Sequence, residues 1–221
     1  MRKRLLIFDL DGTLLDTVGD LTQAVNHALS KNNININHNK ETISTFVGNG
    51  IGKLIERAIP CQDRNAENIK CVQGDFVAFY NAHNTDLTRP YPGITETLEY
   101  FQNKEILLAI ASNKYQKATE QLVAHYFPTI NFCNISGQKA EVPIKPHPAI
   151  INNILSEIHI PKEDVLYIGD SEVDMQTGVN AEVDTIGVSW GFREKKILQK
   201  YSPFAISNNT DELKRLISNY I

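Results

Sequence analysis

Apolar positions change their period along this chain, and the change divides it into two zones. Leu5 to Phe8 is a short apolar run closed by an acidic turn containing Gly12, which predicts a strand entering a loop. From about Gly19 the spacing becomes helical, with Leu21, Ala24, Val25, Ala28 and Leu29 on one face. Further helices are predicted at Glu41 to Phe46, at Ile51 to Ala58, and through Ile69, Val72, Phe76, Phe79 and Tyr80. No strand pattern occurs between Asp16 and about Arg89, so this block is expected to be helical throughout.

After "RPYPGI", Arg89 to Ile94, helices and apolar strands alternate. The predicted order is helix Thr95 to Asn103, strand Ile106 to Ala111, helix Gln116 to His125 and a weak strand around Phe132 to Ile135. Helix Ala149 to Ile158, strand Val165 to Ile168, helix Asp174 to Asn180 and strand Thr185 to Val188 follow. A helix near Glu194 to Lys200, strand Phe204 to Ile206 and helix Asp211 to Ser218 complete the chain. Apolar strands separated by helices predict an α/β fold, a Rossmann-like doubly wound parallel sheet covered on both faces. The helical block is then an insertion after the first strand. The expected domains are residues 1–15 with 89–221 as the core and 16–88 as a helical cap; the asparagine-rich Asn32 to Asn39 is expected to be a loop.

With 221 residues, 42% hydrophobic and 22% charged, the chain has the composition of an ordinary globular protein. A net charge of -4 supplies no global basic field, so neither nucleic acid nor an anionic membrane is an expected partner. Asp9 and Asp11 interrupt the apolar run that follows Arg2-Lys3-Arg4, so a secretory leader is not expected, and no run reaches membrane-spanning length. Cys61, Cys71 and Cys133 lack metal-ligand spacing and are expected to be buried, reduced thiols of a cytoplasmic protein.

Four polar segments carry the candidate chemistry: "DLDGT" at Asp9 to Thr13, "SNK" at Ser112 to Lys114, "KPHP" at Lys145 to Pro148 and "GDSEVD" at Gly169 to Asp174. Singly, each has a bland reading, as a turn, a helix cap or a solvated loop. Three of them directly follow predicted strands, however, and the carboxyl edge of a doubly wound sheet is where ligands bind. Clustered carboxylates favour a hard, oxygen-ligated cation, and Mg²⁺ suits a site shared with phosphate. A carboxylate about 4 Å from a phosphoryl charge is repelled by about 4 kcal/mol per unit charge at an effective dielectric near 20. Attack on phosphate would therefore require the cation and a lysine.

These segments, with "RPYPG", form an ordered set that resembles the haloacid dehalogenase superfamily of phosphohydrolases over nearly the whole chain, the helical insertion matching that family's cap. "FVGNGIGKLIERA" and "SWGFRE" are similar to the phosphoglycolate phosphatase branch. The resemblance implies Asp9 as nucleophile forming an aspartyl phosphate, and Asp11 as the acid that protonates the departing alkoxide and then the base that activates water. It implies Ser112 and Lys145 as holders of the phosphoryl oxygens, with Thr13 and Asn113 as further participants. Mg²⁺ would be bound by Asp9, the Asp11 carbonyl and Asp170, with Asp174 supporting through water or Lys145.

The turn Gly48-Asn49-Gly50-Ile51-Gly52 follows no strand, so it is not a dinucleotide fingerprint. It reads equally as a helix-to-helix turn or as a loop over the substrate, in which case Gly50 and Lys53 would face the crevice. Lys114 reads as a solvated residue at a helix start, and Val72, Phe76 and Phe79 as cap core. Trp190 and Arg193 could touch the cap or simply pack. Glu182 stands where a glycine would ease a left-handed helix end. The expected activity is hydrolysis of a small phosphorylated metabolite by a monomer or homodimer. Pyrophosphate, nucleotide or sugar-phosphate substrates, phosphoryl mutase chemistry on the same core, and a non-catalytic binding role are the alternatives.

Overall fold

The computed structural model describes residues 2–221. Strand β1 (Leu5–Phe8) is followed by the two-residue strand β2 (Leu15–Asp16) and the helices α1 (Val18–Lys31), α2 (Lys40–Phe46), α3 (Gly50–Ala58) and α4 (Ala66–His83). The chain returns through β3 (Arg89–Pro90) and α5 (Ile94–Gln102) to β4 (Leu107–Tyr115), α6 (Gln116–Tyr126) and β5 (Phe132–Gln138). It continues through α7 (Ala149–Ile158), β6 (Val165–Gly169), α8 (Glu172–Ala181), β7 (Asp184–Val188), α9 (Lys195–Gln199), β8 (Ala205–Ser207) and α10 (Thr210–Ser218).

Six strands form one parallel sheet in the order β5-β4-β1-β6-β7-β8. Strand alternation explains why β1 is apolar at every position. Leu6 and Phe8 enter one core with Leu98, Phe101, Ile110 and Ile168, whereas Leu5 and Ile7 enter the opposite core with Ile151, Val165 and Tyr167. From β1 the chain winds outward through β4 to β5, then reverses through β6 to β8, so the switch point lies at the carboxyl end of β1. Phe8 pairs with Ile110 and with Ile168, which sets the segments after β4 and β6 on either side of Asp9. This is the expected α/β architecture with a helical insertion.

Helices α1 to α4 enclose their own apolar cluster, including Leu21, Val25, Leu29, Ile55, Val72, Phe76 and Tyr80. The outgoing and returning passes of the insertion meet in an antiparallel ladder, Leu15 opposite Pro90 and Asp16 opposite Arg89, which no sequence pattern announces. Beside it Asp20, buried in the first turn of α1, accepts hydrogen bonds from the backbone N–H groups of Leu87 and Thr88 and from Thr88 Oγ1 at 2.7–2.9 Å. Among the described residues no helix is long and apolar enough to cross a membrane.

Three local expectations change. Strand β4 runs beyond Ala111 to Tyr115, because a register shift lets Tyr115 pair with Gln138 and thereby lengthens β5 as well. Helix α8 begins at Glu172 rather than Asp174, because Ser171 and Asp174 form a reciprocal capping box. Glu182 nonetheless adopts the left-handed conformation, φ 59°, that closes α8. The three cysteines are exposed rather than buried: Cys61 lies in a short 3₁₀ turn, Cys71 on the outer face of α4, and Cys133 on the edge strand β5.

Asp20 satisfies three donors, two of them on the buried Thr88. Asp20→Ala should therefore lower the unfolding free energy by about 3 kcal/mol in urea denaturation, whereas a change below about 0.5 kcal/mol would show that the ladder holds the two passes unaided.

Candidate active site

Asp9 leaves the end of β1 with its backbone N–H donating to the Ile168 carbonyl, which keeps it in line with the sheet. The next turn depends on Gly12, whose φ of +85° suits glycine and whose missing Cβ leaves room for the Asp170 carboxylate. Gly191 likewise lies against Asp170 and the Gly12 carbonyl, where a Cβ would collide with both. Side chains are thus absent where the backbone packs against the Asp170 carboxylate. Asp170 Oδ2 accepts from the Phe192 N–H at 2.7 Å and Oδ1 from Thr13 Oγ1 at 3.3 Å.

Carboxylate oxygens of Asp9, Asp170 and Asp174 lie within 4.8 Å of one another, all buried. Lys145, 2% exposed, stands among them. Its Nζ donates to Asp174 Oδ1 at 2.7 Å, to the Ala111 carbonyl and to the Tyr167 hydroxyl at 2.9 Å, and lies 2.9 Å from Asp9 Oδ1. That last approach is an ion pair without hydrogen-bond alignment, and Asp9 Oδ1 is left without a hydrogen-bond partner. Asp174 is fully committed, because Oδ1 also accepts from the Tyr167 hydroxyl and Oδ2 from the N–H and Oγ of Ser171.

The electrostatics follow from this crowding. Burial pushes Asp9 up to about 7 although the Lys145 charge opposes it, and Asp174 pushes in the same direction as burial. Burial, then the charges of Asp174 and Asp9, raise Asp170 well above the usual carboxylate range. Burial also acts to raise Asp174, but the Lys145 charge, with hydrogen bonds from Lys145, Ser171 and Tyr167, outweighs it and holds that group below its ordinary value. Lys145 is itself raised: burial would lower it, yet Asp174 and Asp9 prevail. A site with more buried negative charge than one ammonium can balance is suited to a divalent cation, and Asp9 Oδ1, which accepts no hydrogen bond, is a ligand atom for it. Its donors are all oxygens.

Asp9, Asp11, Gly50, Ser112, Asn113, Lys145 and Asp170 line one cavity of about 630 Å³, mouth included, roofed by the insertion through residues such as Val47, Ile51, Leu54 and Tyr80. Ser112, 2% exposed, sits on its floor. Asn113 plays a different part from the expected one. Its Oδ1 accepts from Lys145 N at 2.8 Å, while its Nδ2 donates to the carbonyls of Lys145 at 3.0 Å and Gly48 at 2.8 Å, so it holds the lysine segment and the insertion together. Thr13 does not line the cavity but braces Asp170. Lys53 points away, pairing with Glu56 at 2.6 Å in solvent, because α3 turns its apolar face to the cavity.

Three residues gain importance over their sequence reading. Lys114 is buried, not solvated: its Nζ donates to both Asp11 oxygens at 2.9 and 3.0 Å and lies 4.7 Å from the centre of the Tyr80 ring. Arg193 binds Glu172 at 2.7 Å and donates to the Ser44 and Val47 carbonyls at 2.7 and 2.9 Å, thereby gripping the end of α2. Ser171, which the S-x-x-D spacing of a capping box could have revealed, fixes Asp174. Trp190 donates to the Thr13 carbonyl at 3.1 Å.

A family profile described as haloacid dehalogenase-like hydrolase matches residues 6–188. A phosphoglycolate phosphatase of Mesorhizobium japonicum is 30% identical over 216 residues, covering 96% of this chain and 94% of its own length. One from Pseudomonas fluorescens is 31% identical, covering 97% of this chain and 78% of its own. A crystal structure from Lactobacillus delbrueckii subsp. bulgaricus, provisionally assigned as a phosphoglycolate phosphatase, superposes with a TM-score of 0.92 at 32% identity and covers 98% and 99% of the two chains. The chain belongs to the haloacid dehalogenase-like hydrolases. Within them it is a phosphatase, a phosphoric monoester hydrolase.

Removing the ammonium would leave Asp9 and Asp174 buried without a countercharge. Lys145→Met should lower the unfolding free energy by about 3–5 kcal/mol at pH 7 in chelator-treated buffer, measured by chemical denaturation. Wild-type stability in that variant would mean the acids are compensated elsewhere.

Proposed function

We propose that the chain hydrolyses a small phosphorylated metabolite through an aspartyl phosphate on Asp9, with Mg²⁺ as cofactor and 2-phosphoglycolate as the leading substrate. The observation that carries this reading is the Asp9 carboxylate at the switch point, its Oδ1 accepting no hydrogen bond and ion-paired with the Lys145 ammonium. In the first step an Asp9 oxygen forms a bond to phosphorus while the bond to the ester oxygen breaks, and the Asp11 carboxylic proton passes to that departing oxygen. In the second step water attacks the same phosphorus, Asp11 takes the water's proton, and Asp9 is released with inorganic phosphate. Ser112 and Lys145 hold the phosphoryl oxygens through both steps.

Asp9, the Asp11 carbonyl and Asp170 would hold Mg²⁺, which supplies positive charge to the phosphoryl oxygens and the attacking carboxylate. Asp174, whose oxygens are occupied by Lys145, Tyr167 and Ser171, orients Lys145. Residues 16–88 act as the cap domain over a core of 1–15 and 89–221, a division supported by the apolar cluster that α1 to α4 build, which Ala118 of the core joins, and by the narrow β2–β3 neck. Phosphoglycolate leads because relatives of that name match nearly the whole chain.

Asp9→Asn should abolish release of phosphate from an aryl phosphate while leaving the circular dichroism spectrum unchanged, and turnover retained in that variant would refute the nucleophile. Chelation should likewise stop the wild-type protein, with Mg²⁺ restoring it; turnover that persists through exhaustive chelation would remove the metal from the reading. Across a panel with Mg²⁺ that includes pyrophosphate, nucleoside monophosphates and sugar phosphates, 2-phosphoglycolate should give the highest kcat/KM. A value no better than the others would end that substrate assignment alone.

A further inference from the structure

Among the described residues three cationic side chains line the cavity: Lys114, Lys145 and Arg193. Lys145 is committed to Asp9, Asp174, Tyr167 and a backbone carbonyl. Arg193 is committed to Glu172 and to carbonyls at the end of α2. Lys114 differs, because its hydrogen bonds go only to the two oxygens of Asp11. The rest of that wall is largely apolar or aromatic, formed by Leu21, Leu54, Phe76 and Tyr80 from the insertion. The Tyr80 hydroxyl is buried and has no hydrogen-bond partner among the described residues.

Two unmet needs therefore coincide once a substrate is bound. If Asp11 serves the departing oxygen, as the proposed function requires, one of its oxygens must turn from the ammonium. A buried ammonium facing aromatic groups then needs another anion, and the Tyr80 phenol needs an acceptor. We propose that Lys114, together with the Tyr80 hydroxyl, binds an anionic group carried by the departing alcohol, a carboxylate in the leading candidate, and so selects acidic phosphomonoesters. This rests on the phosphatase reading of the same site and adds the residues that choose among esters.

The test compares kcat/KM for 2-phosphoglycolate with that for ethyl phosphate, in which a methyl group replaces the carboxylate, both with Mg²⁺. The wild-type protein should favour the acidic ester by about tenfold to a hundredfold, the range of a charged hydrogen bond. Lys114→Met should bring the two esters to within about threefold of each other, Lys114→Arg should keep most of the preference, and Tyr80→Phe should reduce it. Lost support for Asp11 would slow both esters alike and leave their ratio unchanged, so an unaltered ratio in Lys114→Met overturns the proposal.

A second measurement needs no variant. In the wild-type protein, 3-phosphonopropionate should inhibit aryl phosphate hydrolysis more strongly than propylphosphonate, and equal inhibition would also overturn the proposal. Hydrolysis of both esters without preference would end this inference and leave the phosphatase reading standing. Turnover of no ester at all would end both.

Discussion

The Lys145 ammonium lets three acidic side chains share one buried edge of the sheet. Asp9, Asp170 and Asp174 lie close enough to repel one another strongly, and only one of them, Asp174, is held below its ordinary carboxylate value. The lysine meets Asp174 and Asp9 together, while Asn113 fixes its backbone from both sides. Its position is thus set by polar contacts rather than by the loop's own rigidity. Asp9 remains incompletely satisfied, its Oδ1 held only by the ion pair with Lys145 and its proton affinity raised. An incompletely satisfied nucleophile beside a fixed cation is a poor arrangement for stability and a good one for attack on an anionic ester.

Several contacts between the core and the helical insertion run through residues beside the acidic cluster. Asn113 donates to the Gly48 carbonyl, Arg193 grips carbonyls at the end of α2, and Lys114 links Asp11 to the ring of Tyr80. Each of these side chains ties a residue beside the acidic cluster to the roof of the cavity. Backbone carbonyls accept two of these links, so the grip does not depend on particular roof side chains, and residues such as Ile51, Leu54 and Phe76 remain free to shape the space for the substrate.

Much of this was legible in the sequence, for identifiable reasons. Uniformly apolar strands such as Leu5 to Phe8 require cover on both faces, which leaves little choice but a doubly wound parallel sheet. Acidic and polar segments placed directly after such strands reach the carboxyl edge by connectivity alone, so Asp9, Ser112 and Asp170 could be grouped before any coordinates were known. Distance across the fold was not legible. The Lys114–Asp11 pair spans 103 positions and Arg193 reaches its carbonyl partners across 146 or more, and no local pattern encodes either contact. Lys53 failed for a related reason, since a position near the glycine turn says nothing about which face of α3 the side chain leaves from. The cysteines were misjudged because average burial of a residue type does not predict single positions on outer faces and edge strands.

The central claim is that Asp9 itself becomes phosphorylated, and it can be tested directly. Enzyme quenched during turnover and treated with borohydride should yield a peptide in which the acyl phosphate at position 9 has been reduced to homoserine, detected by mass spectrometry. Reduction at a different acidic residue, or steady release of phosphate with no reduced peptide at all, would contradict the account.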